Sequence, residues 1–133
     1  MEIVERGKGP PLVIVPSLHG RWEYFHPAID ALARSFRVMT YSLPDTPGWG
    51  REGDAERALD SLVEQLRSAL EAARLERAAI CGISFGGMVA VRFAARHPDA
   101  TSALVLVSTP GPLWRPSPRH ALYARWPRTT CVW

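Results

Sequence analysis

The chain has 133 residues, of which 47% are hydrophobic and 22% charged, and its 16 basic and 13 acidic side chains give a formal net charge of +3. This composition is typical of a folded globular protein, so wholesale disorder is excluded and one domain is expected. The arginines are scattered singly rather than gathered in a basic run, which favours a solvated surface over a nucleic-acid partner.

Two cysteines, Cys81 and Cys131, are too few for the disulfide framework of a small secreted protein. No Cys or His spacing is typical of a metal site, so we expect neither a metal nor another cofactor. The first residues lack the basic and apolar segments of a signal peptide, and the chain has no stretch of about 18 apolar residues. We therefore expect a cytoplasmic protein without a membrane partner.

The first half of the chain alternates short apolar runs with helical periodicity. Residues 3–4 and residues 12–15 are predicted strands, and the second is apolar throughout, as in a strand buried on both faces. Residues 26–33 are predicted to form a helix and residues 36–43 the next strand. Residues 44–50 are dense in proline and glycine, which indicates a loop.

The second half repeats the alternation with longer helices. From Asp54, a predicted N-cap, apolar residues recur every three or four positions as far as Ala73, which predicts an amphipathic helix. Residues 78–81 read as a strand, residues 85–96 as a helix and residues 103–107 as an all-apolar strand. Apolar strands alternating with amphipathic helices predict an α/β fold with a parallel sheet covered on both faces.

The segment Gly82-Ile83-Ser84-Phe85-Gly86 stands between a predicted strand and a predicted helix. This is the setting of a nucleophile elbow, in which a serine occupies a sharp, strained turn above the sheet. The two glycines remove side chains that would collide with the neighbouring strand and helix, and the helix N-terminus supplies positive potential for an oxyanion. We predict Ser84 as a nucleophile; the alternative is a glycine-rich turn with a capping serine.

With this motif in this context, residues 1–112 resemble the N-terminal half of the α/β-hydrolase family. The resemblance implies a three-layer sandwich around a mostly parallel sheet. It also implies a serine hydrolase that performs acyl transfer on an ester-like small molecule. In that family two backbone N–H groups form an oxyanion hole, one of them from the residue after the nucleophile, which here is Phe85.

The second oxyanion donor comes from the loop that follows the strand at residues 12–15. Pro16-Ser17 occupy the place where the family has His-Gly, which makes Leu18 the donor. A literal His19-Gly20 follows and would nominate Arg21 instead. We favour Leu18, because position relative to the strand end determines the geometry.

The family also has an acid and then a histidine after the serine, on loops at the same sheet edge. Asp99 is the only acid after Ser84, and His97 and His120 are the only later histidines. Asp99 and His97 follow the helix, so we expect them at the opposite end of strands that are roughly 17 Å long. No triad acid or base is recognisable.

The chain is therefore interpreted as truncated after the strand that follows the elbow helix. Residues 1–112 are predicted to form half of a hydrolase core, and residues 113–133 an irregular Pro-, Arg- and Trp-rich tail or the start of a cap. The strand at residues 103–107 would then be an uncovered sheet edge, through which the chain could oligomerise. Trp22 and Trp49 are candidates for an apolar substrate pocket, with a packing role equally expected.

Three functions stay open on the sequence alone. The first is a serine hydrolase, weakly active or inactive as this chain. The second is other chemistry on the same fold, such as C–C bond hydrolysis or a haloperoxidase-like reaction. The third is a non-catalytic fragment or interaction module that keeps the elbow as architecture.

Overall fold

Strands and helices alternate along the chain, as the apolar runs predict. A computed structural model describes residues 2–17, 20–43, 55–111, 113–115 and 117–118. In these ranges the strands are β1 (Ile3–Arg6), β2 (Pro11–Val15), β3 (Arg37–Tyr41), β4 (Ala78–Ile83) and β5 (Thr101–Val107). The helices are α1 (His26–Leu32), α2 (Ala55–Ala72) and α3 (Phe85–Arg96), with a short 3-10 turn at Trp22–Phe25 directly before α1. The predicted loop at residues 44–50 and the predicted cap Asp54 lie outside the described residues.

The strands form one sheet in the order β1-β3-β2-β4-β5. β1 runs antiparallel to β3, and the remaining pairs are parallel. β2 lies at the centre, and Val13 and Val15 are completely buried there, as expected for a strand that is apolar at every position. The predicted α/β class with a mostly parallel sheet is confirmed.

Helices α2 and α3 cover one face of the sheet. The apolar positions of α2, three and four residues apart, are buried, and α3 adds Val89, Ala90 and Phe93 to the same cluster. The buried residues that α2 contributes are Leu62, Val63, Leu66, Ala69 and Leu70. A helix with one apolar stripe can bury it only by lying flat on such a face, so the periodicity determines which side of α2 meets the sheet.

Helix α1 covers part of the opposite face. Its buried residue Ile29 packs with Leu12, Ile14 and Val38 of the two central parallel strands. The sheet therefore lies between two helical layers, which confirms the three-layer sandwich.

An ion-pair cluster joins the two helices of the first layer. Asp60 of α2 lies 2.6 Å from a guanidinium nitrogen of Arg92 and 2.9 Å from one of Arg96, both on α3. The hydrogen bond from Arg96 is the main cause that lowers the pKa of the Asp60 carboxyl, and the charge of Arg92 acts in the same direction against the effect of desolvation.

β5 is the last strand of the sheet, and its residues from Ser102 to Val107 are exposed. Leu106, for example, is 46% exposed and Leu104 39%. No strand in the described part of the chain pairs with its outer edge. The apolar sheet edge expected from the sequence is therefore present. The sequence also predicted a sheet covered on both faces, but this coverage does not extend to β5, because α1 packs on the central strands.

Candidate active site

Ser84 is the single residue between the end of β4 and the start of α3. Its backbone has φ 52° and ψ −115°, a conformation that costs a residue with a side chain about 1–3 kcal/mol. Its N–H donates to the carbonyl of Val107 at 2.8 Å, and its carbonyl accepts from the N–H of Gly87 at 3.0 Å. The predicted sharp strand-to-helix turn is confirmed, and hydrogen bonds on both sides of Ser84 hold it.

The Ser84 hydroxyl makes no capping hydrogen bond to α3, although the residue occupies the N-cap position. A serine at this position normally stabilises a helix by accepting from an N–H of the first turn. The turn therefore bears its strain without the compensation of a cap. This arrangement is not the one expected of the capping serine that the sequence left open as the alternative.

The two glycines of the motif are required by close backbone approach. A Cβ on Gly82 would stand 2.4 Å from the Cα of Gly87, within the first turn of α3. A Cβ on Gly86 would stand 2.2 Å from the carbonyl oxygen of Pro16 and 2.3 Å from that of Val15. The first turn of α3 thus lies directly against the carboxyl end of β2, which places the turn beside the loop that follows β2.

That loop contains the predicted oxyanion donor. The N–H of Gly20, which has φ 71°, donates to the carbonyl of Ser17 at 2.7 Å, so Gly20 lies next to Ser17 at the end of β2. The carbonyl of Gly20 accepts from the N–H of Leu43 at 2.7 Å, which ties Gly20 to the segment that follows β3. Leu18, the favoured donor, and His19 lie outside the described residues.

Phe85, the other predicted donor, is the first residue of α3. Its N–H belongs to the positive end of the helix dipole, where a developing anion is stabilised. Its side chain is half-buried and packs against the cluster under α2 and α3. Arg21, the alternative nominee from the loop, is extended and pairs with Glu23 at 2.6 Å.

Of the two pocket candidates, Trp22 lies in the 3-10 turn before α1. It is half-buried and packs against the cluster of Leu12, Ile14 and Ile29. Its ring lies 6.2 Å from that of His26, centroid to centroid. Trp22 thus has the packing role that the sequence held to be equally expected, and Trp49 falls outside the described residues.

His97 and Asp99 lie at the opposite end of the parallel strands from Ser84, as expected. His97 follows the last residue of α3, and a twelve-residue helix spans roughly 18 Å. The ring of His97 packs on the ring of Phe93, with 4.8 Å between the two centroids. The backbone carbonyl of His97 accepts from the Thr101 hydroxyl at 3.0 Å, so His97 has a structural role at the start of β5. His120, the other downstream histidine, is not among the described residues.

Cys81 is a second potential nucleophile, three residues before Ser84 on β4. It is half-buried, because the face of β4 that it occupies is only partly covered. Burial raises the pKa of the Cys81 thiol. The thiol is therefore protonated at neutral pH and poorly nucleophilic, which leaves Ser84 as the stronger candidate.

Sequence reasoning gave no separate role to Gly87 or to residues 107–109. The structure brings both to the turn, since Val107 accepts from Ser84 and the side chain of Thr109 lies over Gly87. The two consecutive glycines, Gly86 and Gly87, are a local signal that could have identified Gly87. No local pattern marks Thr109, because its position depends on the pairing of β4 with β5.

Other kinds of site find no support in the described ranges. No group of three or more His, Cys, Asp or Glu side chains there is arranged to hold a metal ion. None of the helices described combines the length and apolar character needed to cross a membrane.

Comparison with a family model and with known hydrolases points to one family. The model of a family described as "alpha/beta hydrolase fold" matches residues 10–129. A 2-hydroxymuconate semialdehyde hydrolase from Pseudomonas sp. (strain CF600) is 34% identical over 116 residues, covering 80% of this chain and 39% of that protein. A pimeloyl-[acyl-carrier protein] methyl ester esterase from Aeromonas hydrophila is 34% identical over 110 residues, covering 80% of this chain and 41% of the esterase.

Solved structures agree with the sequence relatives. A marine microorganism esterase superposes with a TM-score of 0.75 at 27% identity, covering 93% of this chain and 48% of the esterase. The chain thus spans about two fifths of the length of these curated relatives and about half of that structure.

Proposed function

The chain belongs to the alpha/beta hydrolase fold family, and from that premise we propose that it carries the nucleophile of a serine hydrolase, with Ser84 as the attacking group. The observation that carries the proposal is the turn itself. Ser84 has φ 52° between β4 and α3, and its hydroxyl is not used as a helix cap. A strained, uncapped serine at a helix N-terminus is arranged for reaction rather than for stability.

The proposed reaction is acyl transfer from an ester-like small molecule. The Ser84 oxygen attacks the carbonyl carbon, its proton passes to a base, and the carbonyl oxygen becomes an oxyanion. The N–H groups of Phe85 and Leu18 donate to that oxyanion. The tetrahedral intermediate then expels the alcohol, which takes up the proton, and water releases the acid from the acyl-enzyme in the second half of the reaction.

The base is not assigned to either described histidine. His97 lies at the opposite end of the strands from Ser84, where its ring packs on Phe93. The ring of His26 lies 3.3 Å from the Asp30 carboxylate on α1, where both side chains are about half exposed. We therefore propose that this chain alone reacts slowly, because neither described histidine is placed to act as the base and removing triad members leaves only residual catalysis.

The proposed partner of the site is the ester-like substrate, with no nucleic acid, no membrane and no cofactor, and the proposed location is the cytoplasm. Trp49 remains a proposed member of the acyl pocket. Trp22, which packs against the cluster of Leu12 and Ile14, is the other proposed member.

A second candidate is hydrolysis of a C–C bond on the same serine. It is favoured by one observation, the 34% identity with a 2-hydroxymuconate semialdehyde hydrolase. A fold of this kind hosts many reactions, so the turn at Ser84 does not separate the two candidates.

The test of the nucleophile uses the purified chain with a fluorophosphonate, which a reactive serine attacks with loss of fluoride. We expect slow labelling that is lost in Ser84→Ala and retained in the matched control Ser102→Ala, an exposed serine on β5. We also expect hydrolysis of p-nitrophenyl acetate to run little faster than in buffer. Labelling that persists unchanged in Ser84→Ala would overturn the assignment.

Three further outcomes separate the remaining readings. Robust ester turnover that Ser84→Ala abolishes would keep the nucleophile but place the base inside this chain, with His19 and His120 as the candidates. Turnover of 2-hydroxymuconate semialdehyde without turnover of esters would favour C–C bond hydrolysis. Complete absence of Ser84-dependent labelling would favour the non-catalytic module.

A further inference from the structure

We propose that Thr109 is a positioning residue, which holds the strained turn at Ser84 by packing on Gly87. The proposal rests on the proposed function only for its effect on reactivity, since the packing itself is independent of any reaction. Thr109 follows β5, about 25 positions after the turn in the chain, and is brought to it by the parallel pairing of β4 with β5.

Thr109 and Gly87 are in direct contact. A Cβ on Gly87 would stand 1.8 Å from the Thr109 hydroxyl oxygen, 2.6 Å from its methyl carbon and 2.7 Å from its Cβ. The whole side chain of Thr109 therefore lies over the backbone of Gly87. The absence of a side chain at Gly87 is what admits it.

The chain from Val107 to Thr109 runs past the turn at Ser84. The carbonyl of Val107 accepts from the N–H of Ser84 at 2.8 Å, and Ser108 then takes φ 51°, in the left-handed region. The next residue falls over the first turn of α3. Residues 107–109 thus contact the strained turn on both sides, at the Ser84 N–H before it and at Gly87 after it.

The contact between Thr109 and Gly87 matters for Ser84 because the backbone of Ser84 has a positive φ. A non-glycine residue keeps a positive φ only where its surroundings determine its conformation more strongly than its own preference does. Gly87 donates its N–H to the Ser84 carbonyl at 3.0 Å, so displacement of Gly87 would release that side of the turn. Thr109 is the side chain that packs on Gly87 from the β5 side.

The shape of the Thr109 side chain and its hydroxyl group contribute differently to this contact. The hydroxyl oxygen is inaccessible to solvent and has no hydrogen-bond partner within the described part of the chain. A buried hydroxyl without a partner contributes nothing favourable as a polar group. We therefore assign the positioning role to the volume of the side chain, which valine reproduces.

The experiment compares Thr109→Val, Thr109→Ser, Thr109→Gly, Gly87→Ala and the double variant Gly87→Ala/Thr109→Gly. Hydrogen exchange of the Ser84 amide, measured by NMR relative to the amide of Val13 in the buried centre of β2, reports the turn without any chemistry. Fluorophosphonate labelling reports the reactivity of Ser84. Leu113→Gly, at a position 89% exposed beyond the same strand, controls for the flexibility that glycine adds.

We expect Thr109→Val to behave as wild type in both measurements. Thr109→Gly and Gly87→Ala should each raise exchange at Ser84 about tenfold relative to Val13 and slow labelling about tenfold. The double variant should recover part of the loss caused by Gly87→Ala, because the glycine at position 109 makes room for the new methyl group, and such non-additivity marks a direct contact.

Three results would overturn the proposal. One is an equal rise in exchange at Ser84 and Val13, which would show only general destabilisation. Another is wild-type behaviour of Thr109→Gly. The third is a loss in Thr109→Val with retention in Thr109→Ser, which would assign the role to the hydroxyl. If wild type is not labelled at all, the proposed function fails while the exchange measurement still decides the positioning role.

Discussion

Replacing Gly86 with alanine tests the close approach between α3 and the end of β2. In an open helix this change would stabilise the protein by up to about 1 kcal/mol, because alanine is the better helix former. Here the new methyl carbon would stand 2.2 Å from the carbonyl oxygen of Pro16 and 2.3 Å from that of Val15. Both are backbone atoms of a buried strand end, so no flexible side chain can move aside.

Relief of this clash requires α3 to move away from β2 by roughly 1 Å, which would loosen Val89 and Phe93 in the core. Overpacking of this kind costs typically 1–3 kcal/mol, and the contact with rigid backbone places it at the upper end. We therefore expect Gly86→Ala to lower the free energy of unfolding by about 2–3 kcal/mol. For a chain of this size the corresponding fall in Tm is about 8–15 °C.

The assay is urea and thermal unfolding followed by circular dichroism, with Gly111→Ala as the matched control. Nothing lies within 4 Å of the position that a Cβ on Gly111 would take, so we expect that variant to stay within about 0.5 kcal/mol of wild type. A Gly86→Ala protein as stable as wild type, or more stable, would show that helix propensity outweighs the contact. The reasoning about the turn would then be wrong.

Two further predictions concern the sheet edge and the helix pair. Val105→Lys, on the exposed strand β5, should lower the self-association measured by sedimentation velocity, because a lysine there opposes strand pairing. The control Leu113→Lys should leave self-association unchanged, and a monomeric wild type would contradict the prediction. Asp60 has a lowered pKa in the folded chain, so its contribution to stability is present above its ordinary value of 3.8 and is lost as the pH falls below it. Asp60→Asn should therefore destabilise the protein at neutral pH and progressively less in acid, because protonation of Asp60 removes the carboxylate from Arg92 and Arg96 in the wild type as well. A difference in unfolding free energy between the two proteins that does not change with pH would refute the role of the ion pair.

The sequence by itself determined the elements whose signals are local. The three-and-four spacing of Leu62, Leu66 and Ala69 marks the buried side of α2, and the unbroken apolar run at residues 12–15 marks a strand buried on both faces. The turn at Ser84 belongs to the same class, because the strand, the two glycines and the helix that shape it are adjacent in the chain. The opposite location of His97 also follows from local information, since a strand, a turn and a helix of known length place it.

Only the tertiary structure decided which distant backbone each of these local elements meets. Gly86 needs its missing side chain because of Val15, about 70 positions earlier, and Gly87 because of Thr109, about 20 positions later. The role of Trp22 in packing and the half-exposure of Cys81 depend on how far α1 extends over the sheet. Such contacts leave no periodic trace, because they arise where separate elements cross, and periodicity records only which face of a single element is buried.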